Sequence, residues 1–198
     1  MARALLSRFI AVAAAVVALA AGVAVPMQAQ AHWVPAPCDF ITSGGFVFKD
    51  DGQRANFSAD GGCRNGDFWG NVNFVDHGIP FHLNATQITG YLWDPAVPNA
   101  RDICGWGRLD EDPSTQVQFR IHLVDNGEPG KNDLFGIAID NAYSIIGNRF
   151  YIVSSRKLAD GGPGGGNVQL HKSNPSTTAG PGFFELQEWQ MCGDLNMP

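Results

Sequence analysis

The chain has 198 residues, 16% of them charged, with 24 glycines, 12 prolines, four cysteines and a formal net charge of −6. Setting aside residues 1–31, which carry Arg3 and Arg8 but no acid, leaves 167 residues with 11 basic and 19 acidic side chains, a net −8. That balance argues against a nucleic-acid groove, which draws its affinity from clustered Lys and Arg, and the length suits one domain with a sizeable core.

The N-terminus reads as an export signal: Arg3 and Arg8, an apolar stretch from Phe9 to Val25, then Pro26 and Ala29-Gln30-Ala31 as a small-x-small cleavage site. The rival reading is a retained anchor, since the 17 apolar residues sit at the low edge of a bilayer span. Alanine richness and Pro26 favour cleavage after Ala31. The expected mature chain is then a single exported domain, 32–198, with 32–37 as a loose leader, no membrane association after cleavage, and an extracellular or periplasmic location.

Export gives Cys38, Cys63, Cys104 and Cys192 a disulfide reading, because no C-x-x-C spacing points to zinc. Three pairings exist on paper. A hairpin turning at Asp50-Asp51 places Cys38 and Cys63 across from each other, at the short separation a disulfide needs. Cys104 and Cys192 remain as the second pair. A turn centred on Asp51-Gly52 shifts that register.

After Phe40–Phe48 and a run starting near Ala55, strand candidates follow at Phe68–His77, Phe81–Trp93 and Ile103–Leu109. The clearest alternation is Val117, Phe119, Ile121 and Leu123 against Gln116, Gln118, Arg120 and His122. The first set is expected in the core and the second facing solvent or a binding surface. Phe135, Ile137 and Ile139 continue the pattern, then Tyr143–Ile146, Phe150–Ser154 and Val168–His171. Phe183–Met191 fits either period, and Gly161–Gly166 reads as a flexible connection that lacks the Lys-Ser/Thr of a phosphate loop. Nine or ten short strands with polar turns predict an all-β fold, an antiparallel sandwich or closed barrel.

Four stretches in order carry a resemblance: Cys38-Asp-Phe-Ile-Thr-Ser-Gly-Gly-Phe46, Phe68-Trp-Gly-Asn-Val-Asn-Phe-Val-Asp-His77, Val124-Asp-Asn-Gly-Glu-Pro-Gly130 and Gly166-Asn-Val-Gln-Leu-His-Lys172. In these the chain resembles the post-COAP domain family of exported bacterial proteins. The resemblance implies a secreted all-β module and transfers no activity or catalytic residue.

Three constellations bear chemistry. Asp125, Glu128 and Asp133, with Asn126 and Asn132, place oxygens on one turn, as calcium requires, although not at EF-hand spacing. The plainer reading is a hairpin loop whose Asp125 and Asn126 bond their own backbone while Gly127 and Gly130 supply positive φ. His77 and His82 flank a tight turn beside Asp76, and with a freed N-terminal His32 they offer the nitrogens of a copper site; the plainer reading is a pair of half-exposed hairpin histidines. Trp69, Tyr91 and Trp93, with Trp106 and Trp189, offer a surface for stacking sugar rings, against the common use of tryptophan in packing. No G-x-S-x-G elbow is present. The expectation is a secreted structural or binding module for calcium or an extracellular glycan. Its alternative is a secreted enzyme, either a copper oxidase using His32 or a hydrolase using the acidic loops.

Overall fold

The computed structural model describes residues 32–34, 37–173 and 186–196. Residues 1–31, on which the export signal rests, lie outside the described residues, as do 183–185 of the ambiguous C-terminal run. The strands are β1 (His32–Trp33), β2 (Phe40–Phe48), β3 (Arg54–Arg64), β4 (Asp67–Asp76), β5 (Phe81–Asp94), β6 (Val97–Leu109), β7 (Asp112–Val124), β8 (Leu134–Asp140), β9 (Phe150–Lys157) and β10 (Gly166–His171). Two short helices, α1 (Tyr143–Ile146) and α2 (Glu188–Cys192), and a 3-10 turn at Leu158–Gly161 complete the described elements.

The fold is all-β and antiparallel. Its strands run in the order β10-β2-β3-β4-β5-β6-β7-β8-β9, with β1 added to the far half of β5. The path is open, and it doubles back on itself like a sandwich. Register shifts between Ala85 and Gln87, Ile88 and Gly90, and Leu92 and Asp94 interrupt the 14-residue β5; bulges of this kind bend a strand and let a sheet turn a corner. Across the interior, the Phe135 ring of β8 lies between Phe57 of β3 and Phe74 of β4, at centroid distances of 3.9 and 6.0 Å. Tyr151 of β9 stacks on Phe81 of β5 at 4.4 Å.

Alternation explains which side faces in. Val117, Phe119, Ile121 and Leu123 are fully buried, as the period of two predicts. Small residues on β3 make room for large ones opposite: an added Cβ at Gly61 would lie 2.8 Å from Ile103. Burying a side chain such as Phe135 contributes about 1.5–3 kcal/mol.

Both cysteine pairs are bridged, Cys38 to Cys63 with Cα atoms 5.8 Å apart and Cys104 to Cys192 at 5.0 Å. The β2–β3 register pairs Phe40 with Gly62, so the turn centres on Asp51, between the two registers considered from sequence. Cys38 precedes the ladder and is free to reach Cys63.

Several expectations need correction. Tyr143–Ile146 is helical, ending at Gly147 with φ 71°, because a four-residue apolar run fits one helical turn as well as a strand. The run at Phe183–Met191 ends in α2, from Glu188. Gly161–Gly166 is held in place: the turn before it has Ala159, Asp160 and Gly161 all at positive φ, and Phe46 N–H donates to the Gly165 carbonyl at 2.9 Å. His32 and Trp33 pair with Trp93 and Leu92, which replaces the expected loose leader there with a short strand. The outward face of β7 is covered at Arg120, which is buried beneath the α2 segment, while Gln118 and His122 are half-buried and Gln116 is exposed.

Candidate functional site

The acidic turn between β7 and β8 is a clasp on a sheet edge. Asp133 is fully buried; its Oδ1 accepts the Asn126 N–H and its Oδ2 the Val168 N–H, both at 2.8 Å. Asp125 accepts the Gly127 N–H on Oδ1 at 2.9 Å and the Leu170 N–H on Oδ2 at 2.8 Å. Glu128 accepts from Asn167 Nδ2 at 3.0 Å. Val168 and Leu170 are alternate residues of β10, so two carboxylates satisfy N–H groups along an edge that, among the described residues, no further strand pairs. Burial pushes the Asp133 carboxyl up, its two backbone donors pull it down, and the charges of Asp125 and Glu128 push it up again, for a net rise. Gly127 and Gly130 have positive φ, as the hairpin reading expected. Among the described residues, no three His, Cys, Asp or Glu side chains come together as a metal-ligand set.

The histidines are separated. His77 sits in the β4–β5 turn, while His82 pairs with Val75 and bonds Asp110 Oδ2 through Nδ1 at 2.6 Å. His32 pairs with Trp93, eleven residues further along β5 than His82, on the order of 35 Å at strand rise. The hairpin histidines and His32 therefore lie at opposite ends of that strand.

The five aromatic residues do not form one platform. Tyr91 is fully buried and donates to Asp39 Oδ1 at 2.9 Å, and burial pushes its phenol well up, which removes it as a ligand-stacking residue. Asp39 also pairs with Arg101. Trp93 joins Val34, Pro37, Asp39, Pro98 and Arg101 around a small cleft of about 170 Å³. Trp106 is half-buried on β6, and Trp189 is exposed on α2.

Trp69 belongs to a different surface, the outward side of β10, β2, β3 and β4. Register builds it row by row. His171, Phe40, Gly62 and Trp69 stand side by side across four strands. The next rows are Gln169 and Thr42, with Asp60 and Asn71; then Asn167, Gly44, Ser58 and Asn73; then Phe46, Asn56 and Val75. Phe40 stacks on His171 at 4.5 Å and approaches Trp69 at 6.0 Å. Gly62 permits that approach, because an added Cβ would lie 2.7 Å from Phe40 Cβ and 3.1 Å from Trp69 Nε1. His171 Nε2 bonds Thr42 Oγ1 at 2.8 Å, which holds the imidazole upright. At the other end Arg54 lies over the Phe46 ring at 4.9 Å, beside Phe48, which is 41% exposed.

The face is amide-, hydroxyl- and aromatic-rich, and it holds unpaired polar atoms. Of the four buried side-chain N or O atoms without a hydrogen-bond partner among the described residues, three are here: Asn56 Oδ1, Trp69 Nε1 and Asn167 Oδ1. Buried polar groups are nearly always paired, so a cluster of exceptions on one face calls for an explanation.

On the opposite side, α2 closes over β5–β7. Met191 packs above Gly90, Thr89 Oγ1 donates to the Met191 carbonyl, and Arg120 bridges Asp102 and Glu188. Burial pushes the Asp102 carboxyl up, but the hydrogen bond from His122 and the Arg120 charge outweigh it and hold it below the usual value.

Sequence reasoning found Trp69 and missed Phe40, Gly44, Asn56, Asn167 and His171. The available signal was the even-numbered half of each strand pattern, Phe40, Thr42, Gly44, Phe46 and Phe48 on β2 above all. No protein-family model, curated protein or solved structure matches this chain. Its two disulfides suit an oxidising compartment, and among the described residues no helix is long and apolar enough to cross a membrane.

Proposed function

We propose that this chain is an exported, non-catalytic module that binds carbohydrate on the outward face of β10, β2, β3 and β4. The observation that carries the reading is the coincidence, on one sheet face, of half-exposed aromatics, Phe40, His171 and Trp69, with exposed or half-exposed amides and hydroxyls in the neighbouring rows, Thr42, Gln169, Asn71 and Ser58. Sugar rings present C–H faces to aromatic side chains and hydroxyls to amides, so one ligand class answers both features. Trp69 is the principal aromatic contact, and Asn71 and Asn73 follow it on the same side of β4, Asn71 exposed. The stretches that resemble the post-COAP family supply most of this face, Phe40 to Phe46, Trp69 to Asn73 and Asn167 to His171. Export follows from the N-terminal signal pattern and agrees with the bridged cysteines.

The test is affinity electrophoresis of the exported chain through gels containing soluble plant, fungal and bacterial polysaccharides. Retardation by at least one of them, lost in Trp69→Ala with no change in unfolding midpoint, supports the reading. Free migration in every gel, or a Trp69→Ala variant retarded like wild type, overturns it. N-terminal sequencing of the exported protein is expected to begin at His32.

A further inference from the structure

Glycine within a strand weakens it, and it marks a bulge or a place where something approaches the backbone closely. Gly45 and Gly62 have packing reasons, since an added Cβ would meet Gly165 O at 2.2 Å in the first and Phe40 Cβ at 2.7 Å in the second. Gly44 has none. A Cβ there would meet nothing nearer than Phe57 O at 3.8 Å, and its φ is not in the left-handed region. Its missing side chain leaves a bare stretch at the middle of β2, flanked in register by Ser58 on one side and Asn167 on the other. Asn167 is held from beyond by Glu128.

We infer that Gly44 is the floor of a groove in which an extended, uncharged glycan chain lies along β2, meeting aromatic side chains at both ends. This rests on the carbohydrate reading above and adds the ligand's shape, direction and charge. The direction comes from the aromatics: Phe40 and Trp69 stand at one end and Phe46 and Phe48 at the other. Phe40 and Phe46 are six residues apart on β2, about 20 Å at strand rise, the length of several sugar rings. The charge comes from the outward positions of these strands, where Arg54 and Arg64 balance Asp60 and Asp67 on a chain whose net charge is −6. A face whose charges balance offers no net attraction to an anionic or a cationic chain, which leaves the uncharged glycans.

The test measures binding of cello-, xylo- and chito-oligosaccharides of increasing length by calorimetry, with polygalacturonate as the anionic probe, to wild type, Gly44→Val and Trp69→Ala. Val is a better strand former than Gly and an added Cβ at this position meets nothing nearer than 3.8 Å, so Gly44→Val is expected to unfold at the same temperature as wild type or higher. It is expected to lose roughly tenfold or more in affinity, because its methyl groups occupy the floor. Wild-type affinity is expected to rise with chain length until the groove is filled. Equal binding by wild type and Gly44→Val, affinity independent of length, or a preference for polygalacturonate overturns the groove while leaving a carbohydrate site elsewhere on the face. Failure of every probe to bind wild type overturns the groove, and with free migration in every polysaccharide gel it overturns both.

Discussion

Asp133→Ala is the variant that separates a structural clasp from a cation ligand. The substitution removes the acceptor of the buried Val168 N–H and of the N–H of Asn126, an exposed residue. An unsatisfied buried donor costs about 1–3 kcal/mol, and the Asn126 N–H, which water can reach, adds about 1. Part is offset, because the carboxyl itself resists burial and its pKa is raised. The expected net loss is therefore about 1–3 kcal/mol, which for a domain of this size lowers the midpoint by about 2–12 °C. Thermal unfolding followed by circular dichroism, in chelator and again in millimolar calcium, reads the loss. A clasp predicts the same drop in both buffers, together with faster hydrogen exchange at the Val168 amide as the β10 edge loosens. An unchanged midpoint, or a drop seen only with calcium present, refutes the clasp.

Phe119→Ala removes a fully buried ring from the centre of β7 and is expected to cost about 3–5 kcal/mol in urea unfolding. Arg120→Leu removes the guanidinium from the buried Asp102 carboxylate and leaves it the His122 imidazole, at 2.6 Å, as its remaining partner, and is expected to cost about 2–4 kcal/mol at neutral pH. The Asp102 carboxyl is held below its ordinary value in the folded state. Its contribution is thus complete above the unfolded-state pKa and is lost as pH falls through the folded-state one, so the gap between wild type and Arg120→Leu should narrow in acid. Replacing Cys104 and Cys192 by Ala opens a loop of 88 residues' separation, worth about 4–5 kcal/mol on the chain-entropy model. Non-reducing peptide mapping should recover Cys38 with Cys63 and Cys104 with Cys192.

The fold was legible where one period governed. On β7 the alternation runs unbroken, and its inward members are the core. The hairpin between Cys38 and Cys63 was legible for a related reason, because its turn chemistry lies midway between two apolar runs. Legibility failed where a residue's surroundings come from distant strands. Nothing near Tyr91 in sequence reveals that Asp39 and Arg101 meet it. Arg120 and His122 read as solvent-facing because the segment that covers Arg120 lies about 70 residues on and is tied down by Cys192. The acidic turn was legible as a hairpin loop with a calcium alternative, because its acceptors are visible in the sequence; their role as a clasp was not, since their partners, the N–H groups of β10, carry no side-chain signal. Trp69 was found as a single aromatic. The surface around it needed the register of four strands, which periodicity alone does not supply.

The most direct measurement is a two-dimensional amide NMR titration of the exported chain with a binding oligosaccharide. The predicted shifts fall on the backbone amides of Phe40, Thr42, Gly44 and Ser58 and on the indole N–H of Trp69, with the α2-covered side unchanged. Shifts confined to the Trp93 cleft or to β6–β7, with Gly44 and the Trp69 indole unmoved, would contradict a glycan site on the β10–β2–β3–β4 face.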